Sequence, residues 1–218
     1  MNEAMPGVYL CPMRHNLSDI QALIQDRRSF APEGFSKRRV QRDQIEAILR
    51  AGIWAPTHGM TQPWRFTVFM EEGLDTLRDG LPAWYRKWTS AESFRQAKFD
   101  KLSARLDHCS CVVGVGMVPD VNQRISSEDE AWAVACAIQN MHLMCTACGL
   151  GAKWTTPAFM ALPEVKEALL LPEEAKVMGL VYIGYPQGGW PKSHRWPLEY
   201  VTRWASEDPE PHVKRPKA

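Results

Sequence analysis

Along residues 18–27, SDIQALIQDR, the apolar side chains Ile20, Leu23 and Ile24 recur at helical spacing, and Ser18 stands where a cap is needed. The pattern predicts a helix with that face on the core. Residues 42–54 repeat it with Ile45, Ile48, Leu49 and Ile53 on one side, and Pro56 stops the helix. Residues 65–70, RFTVFM, alternate with the two-residue period of a strand. CVVGVGMV, residues 111–118, is continuously apolar and suits a central strand. Residues 131–152 carry no charge at all, a length that would permit a membrane span. Gln139, Asn140 and His142 interrupt that run and Ala and Cys are frequent in it, so it predicts a helix buried in a globular core or shared between subunits. A short helix at 164–169 and a strand at 177–186 complete the pattern.

Strands near 66, 111 and 177 separated by helices predict an α+β layered architecture, one domain spanning 1–218. Residues 83–108 interrupt the alternation with a charged, helical excursion carrying Trp84, Tyr85, Trp88, Phe94 and Phe99. It reads as a helical insertion or a lid, with Trp84, Tyr85 and Trp88 near a substrate entrance. From about 187 onward the chain is an extended tail, with six prolines from Pro186 to Pro216. Such a tail cannot build its own core and must drape over another surface.

Charge narrows the partners. Lys and Arg number 26 against 25 for Asp and Glu, a formal net charge of +1, so no global field favours nucleic acid or a membrane surface. Any anion site must be local. The N-terminal stretch MNEAMPGVYLCPMRHN lacks the basic start and unbroken apolar core of a signal peptide, which predicts a cytoplasmic protein. Five of the six cysteines lie in apolar segments, as buried reduced thiols do. Cys145 and Cys148 form a CxxC with His142 just before it, but a second ligand pair at zinc spacing is missing. Helix packing accounts for the pair better than a metal. Cys109 and Cys111 flank a strand and read as inert.

Three segments carry candidate chemistry. Arg27, Arg28 and Ser29 end the first helix with two guanidinium forks and a hydroxyl, a set that grips a phosphate or forms an ordinary solvated helix end. APTHGMTQPWRF, residues 55–66, follows the second helix: Pro56 and Pro63 stiffen the turn, Gly59 permits close approach and His58 presents a donor. By itself it reads equally as a helix corner with an exposed histidine. GLGAKWTTP, residues 149–157, follows the uncharged helix. No GxGxxG or Walker loop is present for a dinucleotide or triphosphate.

In that order and spacing the three segments resemble the nitroreductase family of flavin enzymes, most closely a small subgroup with an AP-x-H turn leading into PWRF. The resemblance runs from about Ser18 to Thr202. It implies an α+β layered fold with a central, mostly antiparallel sheet flanked by helices, a domain-sharing homodimer, and FMN at the subunit interface with NADH or NADPH as hydride donor. It also implies that Arg27, Arg28 and Ser29 hold the flavin phosphate and ribityl chain, and that His58, with Gln62 in the same turn, contacts the flavin from the second subunit. By the same likeness Trp154, Thr155 and Thr156 lie along the ring and Arg195 is the C-terminal basic residue aimed at the phosphate. Three positions depart from the pattern. A basic residue common after the RRS serine is here Ala31, leaving Lys37, Arg38 or Arg39 as replacements, a turn asparagine is here Met60, and a subgroup arginine is here Trp54.

The resemblance makes the leading expectation an FMN-dependent oxidoreductase that passes hydride from NAD(P)H to a small electron-poor acceptor such as a nitroaromatic or quinone. Within the same fold, reductive dehalogenation or flavin breakdown is the alternative. A flavin-binding protein without turnover is the reading from another class.

Overall fold

The computed structural model describes residues 15–205. Its centre is the run that the sequence marks as continuously apolar: strand β2 (Cys111–Met117), buried at every position. The strand alternating beside it, β1 (Trp64–Met70), pairs with β2 antiparallel. Two more strands, β3 (Gly151–Thr155) and β4 (Lys176–Gly184), complete a four-stranded antiparallel sheet in the order β1-β2-β4-β3. Sequence pattern predicts three of these strands. It misses β3, because GAKWT has neither a clean alternation nor an apolar run, and only pairing with β4 makes it a strand.

Each face of the sheet builds a core. Helices α2 (Arg42–Gly52) and α5 (Ser127–Ala147) cover one face, where Ile45, Ile48, Ala137, Met141 and Cys145 meet Val113, Val115 and Val181. The capping box of Gln41 and Gln44 fixes the start of α2. Helix α5 begins earlier than its uncharged stretch because Ser126 accepts from the Asp129 amide at 3.0 Å and Glu128, Asp129 and Glu130 complement the helix N-terminus. It also ends before 152, where the chain turns at Gly149 (φ 69°) into β3.

Helices α3 (Gly73–Trp88), α4 (Gln96–Ser103) and α6 (Pro163–Ala168) cover the opposite face over Phe69, Val112, Leu180 and Tyr182. Trp84 and Tyr85 belong to this second core, 7% and 3% exposed, so they line no entrance. The Tyr85 hydroxyl accepts from the Arg95 amide at 2.9 Å and its ring stacks on Phe94, which fastens the 83–108 excursion to the sheet.

Helix α1 (Leu17–Asp26) differs from expectation in two ways. Its cap is Asn16, whose side chain accepts from the Ser18 amide at 3.0 Å. None of its residues is buried, and the predicted core face stands open: Leu17 60%, Ile20 41% and Ile24 53% exposed. Helical period locates an apolar stripe but does not say which molecule covers it. The tail first packs on its own chain, as Gln187 donates to the Gly34 carbonyl (2.8 Å), Trp190 to the Asp26 carbonyl (2.6 Å), and Phe30 meets Trp190 edge-on at 4.8 Å. Leu198, Val201 and Trp204 further along are exposed. Cys11 and the last three prolines fall outside the described residues.

One backbone position in β4 sets how β3 is held. Gly179 has φ 120°, beside a register shift between Val115 and Gly116, and a Cβ there would come within 2.3 Å of the Thr155 carbonyl oxygen. The Trp154 indole donates to the neighbouring Met178 carbonyl at 2.8 Å. Gly179→Ala should therefore destabilise the fold by about 2 kcal/mol and loosen the end of β3. Denaturant unfolding measures the first effect, and amide exchange at Trp154–Thr156 the second.

Candidate functional site

The first and third candidate segments come together along β3. Ser29 forms a parallel bridge with Ala152, and the Phe30 amide donates to the Ala152 carbonyl at 3.0 Å, laying residues 27–30 along the strand's outer edge. Phe30 is buried in the second core, so extended geometry turns the exposed Ser29 to the other side. Arg27 is half-buried, and its guanidinium makes no hydrogen bond or ion pair among the described residues. Its guanidinium pKa is lowered by burial and by the nearby charges of Arg195 and Arg28. Three guanidinium groups crowd one corner without a carboxylate between them, an arrangement that an anion would relieve.

The three arginines are not equivalent. Arg28 donates through Nε to the Pro191 carbonyl at 2.8 Å and through Nη1 to the carbonyls of Gln25 and Arg27, so it closes the end of α1 and pins the tail. Arg195 is exposed and donates to the Ser193 hydroxyl at 2.5 Å and the His194 carbonyl at 2.8 Å. Arg27 is the one whose guanidinium has no partner at all among the described residues.

At the other end of β3, Thr155 and Thr156 open onto a cavity of about 270 Å³ whose walls include Lys98, Lys101, Arg105 and Tyr182. Lys101 and Arg105 each stand 3.5 Å from Glu33. Arg105 Nε and Thr155 Oγ1 are shielded from solvent without a well-aligned hydrogen bond, although both side chains lie within reach of the Tyr182 hydroxyl. Burial pushes the Tyr182 phenol up to about 12, with the Arg105 charge opposing, so it remains a neutral donor. Ala152, which pairs with Ser29, and Trp154 face the first core, whereas Thr155 lies on the opposite face beside Tyr182, so the guanidinium corner and this cavity stand on opposite faces of β3. Sequence reasoning overlooked the basic wall, although KFDKLSAR places Lys98, Lys101 and Arg105 at spacings that return to one helix face.

The second segment lies elsewhere. In the turn at His58–Met60, Thr57 Oγ1 accepts from the Gln62 amide at 3.1 Å, and Gly59, Met60 and Gln62 take φ values of 58°, 58° and 47°. His58 is exposed, with Nδ1 3.7 Å from Asp129 Oδ2 at the start of α5. Arg27 instead acts on His142, thirteen residues further along the same helix, a span of roughly 20 Å. One chain therefore brings Arg27, Ser29, Trp154, Thr155, Thr156 and Arg195 to β3 and leaves His58 and Gln62 at the far end of α5. Of the expected replacements for Ala31, Arg38 lies over the Tyr185 ring at 3.8 Å, Arg39 is 3.9 Å from Glu71, and Lys37 borders the same surface cavity as Arg39 and Glu71. Trp54 is 85% and Met60 76% exposed.

Among the described residues, no group of three or more His, Cys, Asp or Glu side chains is placed to hold a metal. Cys145 lies in the first core and burial raises its thiol pKa, while Cys109 is pushed up to about 12 for the same reason. No helix among the described residues is long and apolar enough to cross a membrane.

A family model described as the nitroreductase family matches residues 24–185. The chain is 29% identical to the putative NAD(P)H nitroreductase YdjA of Escherichia coli (strain K12) over 145 residues, 66% of this chain and 77% of that protein. A nitroreductase-like family protein from Bacillus cereus superposes with a TM-score of 0.69 at 25% identity, covering 82% of this chain and 91% of that one. A nitroreductase with bound FMN from Bacteroides fragilis NCTC 9343 shares the fold at a TM-score of 0.67 and 24% identity, covering 84% and 97%.

His142 carries a measurable consequence. It is 6% exposed, neither ring nitrogen has a partner, and burial, followed by the charge of Arg27, lowers its pKa to about 4. Between pH 4 and the ordinary value of about 6.5 the unfolded chain binds a proton that the folded chain refuses. Stability should fall by about 3 kcal/mol as pH drops from 6.5 to 4, and His142→Leu should flatten that dependence. Denaturant unfolding of both proteins across this range measures it.

Proposed function

Since the chain belongs to the nitroreductase family, we propose that it is an FMN-dependent oxidoreductase that takes hydride from NADH or NADPH and delivers it to a small electron-poor acceptor such as a nitroaromatic or quinone. The observation that carries this reading is the cluster of Arg27, Arg28 and Arg195 beside β3, in which the charges of Arg28 and Arg195 bear on a half-buried Arg27 guanidinium. A phosphate at that corner would relieve the crowded positive charge.

In this reading Arg27 is the principal phosphate ligand, with Arg195 adding charge and Ser29 a hydroxyl. Arg28 acts indirectly by tying the end of α1 to the tail. Trp154, Thr155 and Thr156 form the segment that lies along the ring. Trp154, fixed by its bond to the Met178 carbonyl, keeps that strand end from moving. When bound, FMN supplies the hydride-accepting and hydride-donating chemistry. The protein supplies position and charge, since reacting atoms must come within about 3–3.5 Å.

The protein works as a homodimer, because the roughly 20 Å along α5 between the His58 turn and Arg27 lets a second copy bring its own turn to the site. The open stripe of α1 and the exposed Trp132 and Cys136 of α5 supply apolar surface for that contact. The free edge of β1 and the groove beside it, bordered by Ile45, Leu49 and Val68, offer the partner's extended tail a place to lie. A cytoplasmic location fits a reaction fed by soluble nicotinamide.

Purified protein should be yellow and release FMN on denaturation. With NADH or NADPH and a quinone, double-reciprocal plots should be parallel, since donor and acceptor use one open site in turn; intersecting lines would exclude a shared site. Arg27→Ala should weaken FMN binding roughly ten- to a hundredfold with little change in folding, as expected for a lost charged hydrogen bond. Fluorescence titration of stripped protein gives the affinity, and an unchanged value would remove Arg27 from the phosphate site.

A further inference from the structure

We propose that the cavity at the end of β3 is a separate site for a small tetrahedral oxyanion, inorganic phosphate or the phosphate of a small monoester, held by Lys98, Lys101, Arg105 and the hydroxyls of Thr155 and Thr156. The cavity lies on the face of β3 opposite Trp154 and the guanidinium corner, so it stands or falls independently of the flavin reading. Buried Phe159 and Tyr182 close its apolar side. Its volume of about 270 Å³ falls below the roughly 300–1,000 Å³ of pockets that enclose drug-sized ligands, which leaves no room for a nucleotide.

Positive charge is what the cavity holds in excess. Three cations line it and no carboxylate does. Glu33, outside the lining, stands 3.5 Å from both Lys101 and Arg105 and neutralises one of the three charges, which leaves two uncompensated. Lys98 forms no ion pair among the described residues, and its ammonium lies 4.9 Å from the centre of the Tyr85 ring. Lys98 and Lys101 sit three residues apart on α4, a spacing at which like charges repel. The Arg105 side chain is 14% exposed, so water screens its charge poorly, and its Nε lacks a well-aligned partner. Its guanidinium carbon lies 5.7 Å from the centre of the buried Tyr182 ring. Thr155 Oγ1, shielded in the same way, brings a hydroxyl to the same wall. Cations from α4 and the turn after it thus face hydroxyls from the end of β3 across one small space. An oxyanion that presents oxygens on every side can accept from both walls at once.

Calorimetric titration with inorganic phosphate, at an ionic strength held constant with chloride, tests the site. Full-length Arg27→Ala protein is the reference, because it weakens the guanidinium corner as a competing place for the anion. It should still bind phosphate saturably. Adding Arg105→Met should weaken that binding about tenfold, the loss expected for a charged hydrogen bond. Adding Lys98→Met, a change at an exposed residue, should weaken it about threefold. Binding unchanged by Arg105→Met in folded protein overturns the inference, and so does the absence of saturable binding in the reference. If Arg105→Met does not fold, Lys98→Met decides in the same way. Methyl phosphate separates the two sources: binding as tight as that of the free ion identifies a phosphate monoester, its exclusion identifies inorganic phosphate, and either result supports the site. Phosphate held at Arg105 by a protein that takes up no FMN would leave this site standing and refute only the flavin reading.

Discussion

Everything proposed for this protein depends on how β3 is held. The strand lies at one side of the sheet, paired with β4 on its inner edge and bridged by Ser29 on its outer edge. Backbone pairing on both edges fixes its direction and register without using any side chain. Its side chains alternate between the two faces, with Trp154 on the first-core face and tied back to β4 through the Met178 carbonyl. The bulge and Gly179 let the two strands approach closely enough for that tie.

The same design leaves polar atoms without partners in the single chain. A fold normally satisfies its buried donors, so Arg105 Nε, Thr155 Oγ1 and both nitrogens of His142 stand out. Two of the three groups border the cavity at the end of β3, beside the Tyr182 hydroxyl. His142 sits deeper, beside the guanidinium corner, and its low pKa keeps it from adding a further positive charge there. The site therefore gathers cations where an anion is needed and holds the one titratable imidazole among them neutral.

Helix α5 connects the two halves of the proposal. Its inward face packs on the sheet, and its outward face and the stripe of α1 remain open in one chain. The helix is long enough to keep the His58 turn and Arg27 at opposite ends. A two-fold partner running the other way brings unlike ends together, which is why a site split between distant parts of the sequence suits a dimer.

Sequence alone determined much of the frame. The central strand, α2, the uncharged helix and β4 were legible because burial imposes a period on apolar residues, and the Arg27–Ser29 and Trp154–Thr156 segments were legible through their order and spacing. Tertiary structure decided what pattern cannot carry. GAKWT became a strand only through β4, the α1 stripe proved to be surface, and Trp84 and Tyr85 proved to be core. The basic residues Lys98, Lys101 and Arg105, far from Thr155 in sequence, became one wall of a cavity only when α4 and the turn after it were folded against the end of β3. The physical reason is the same in each case: periodicity records that a side chain is apolar or charged at a given spacing, whereas the partner that covers or neutralises it is chosen by contacts between residues remote along the chain.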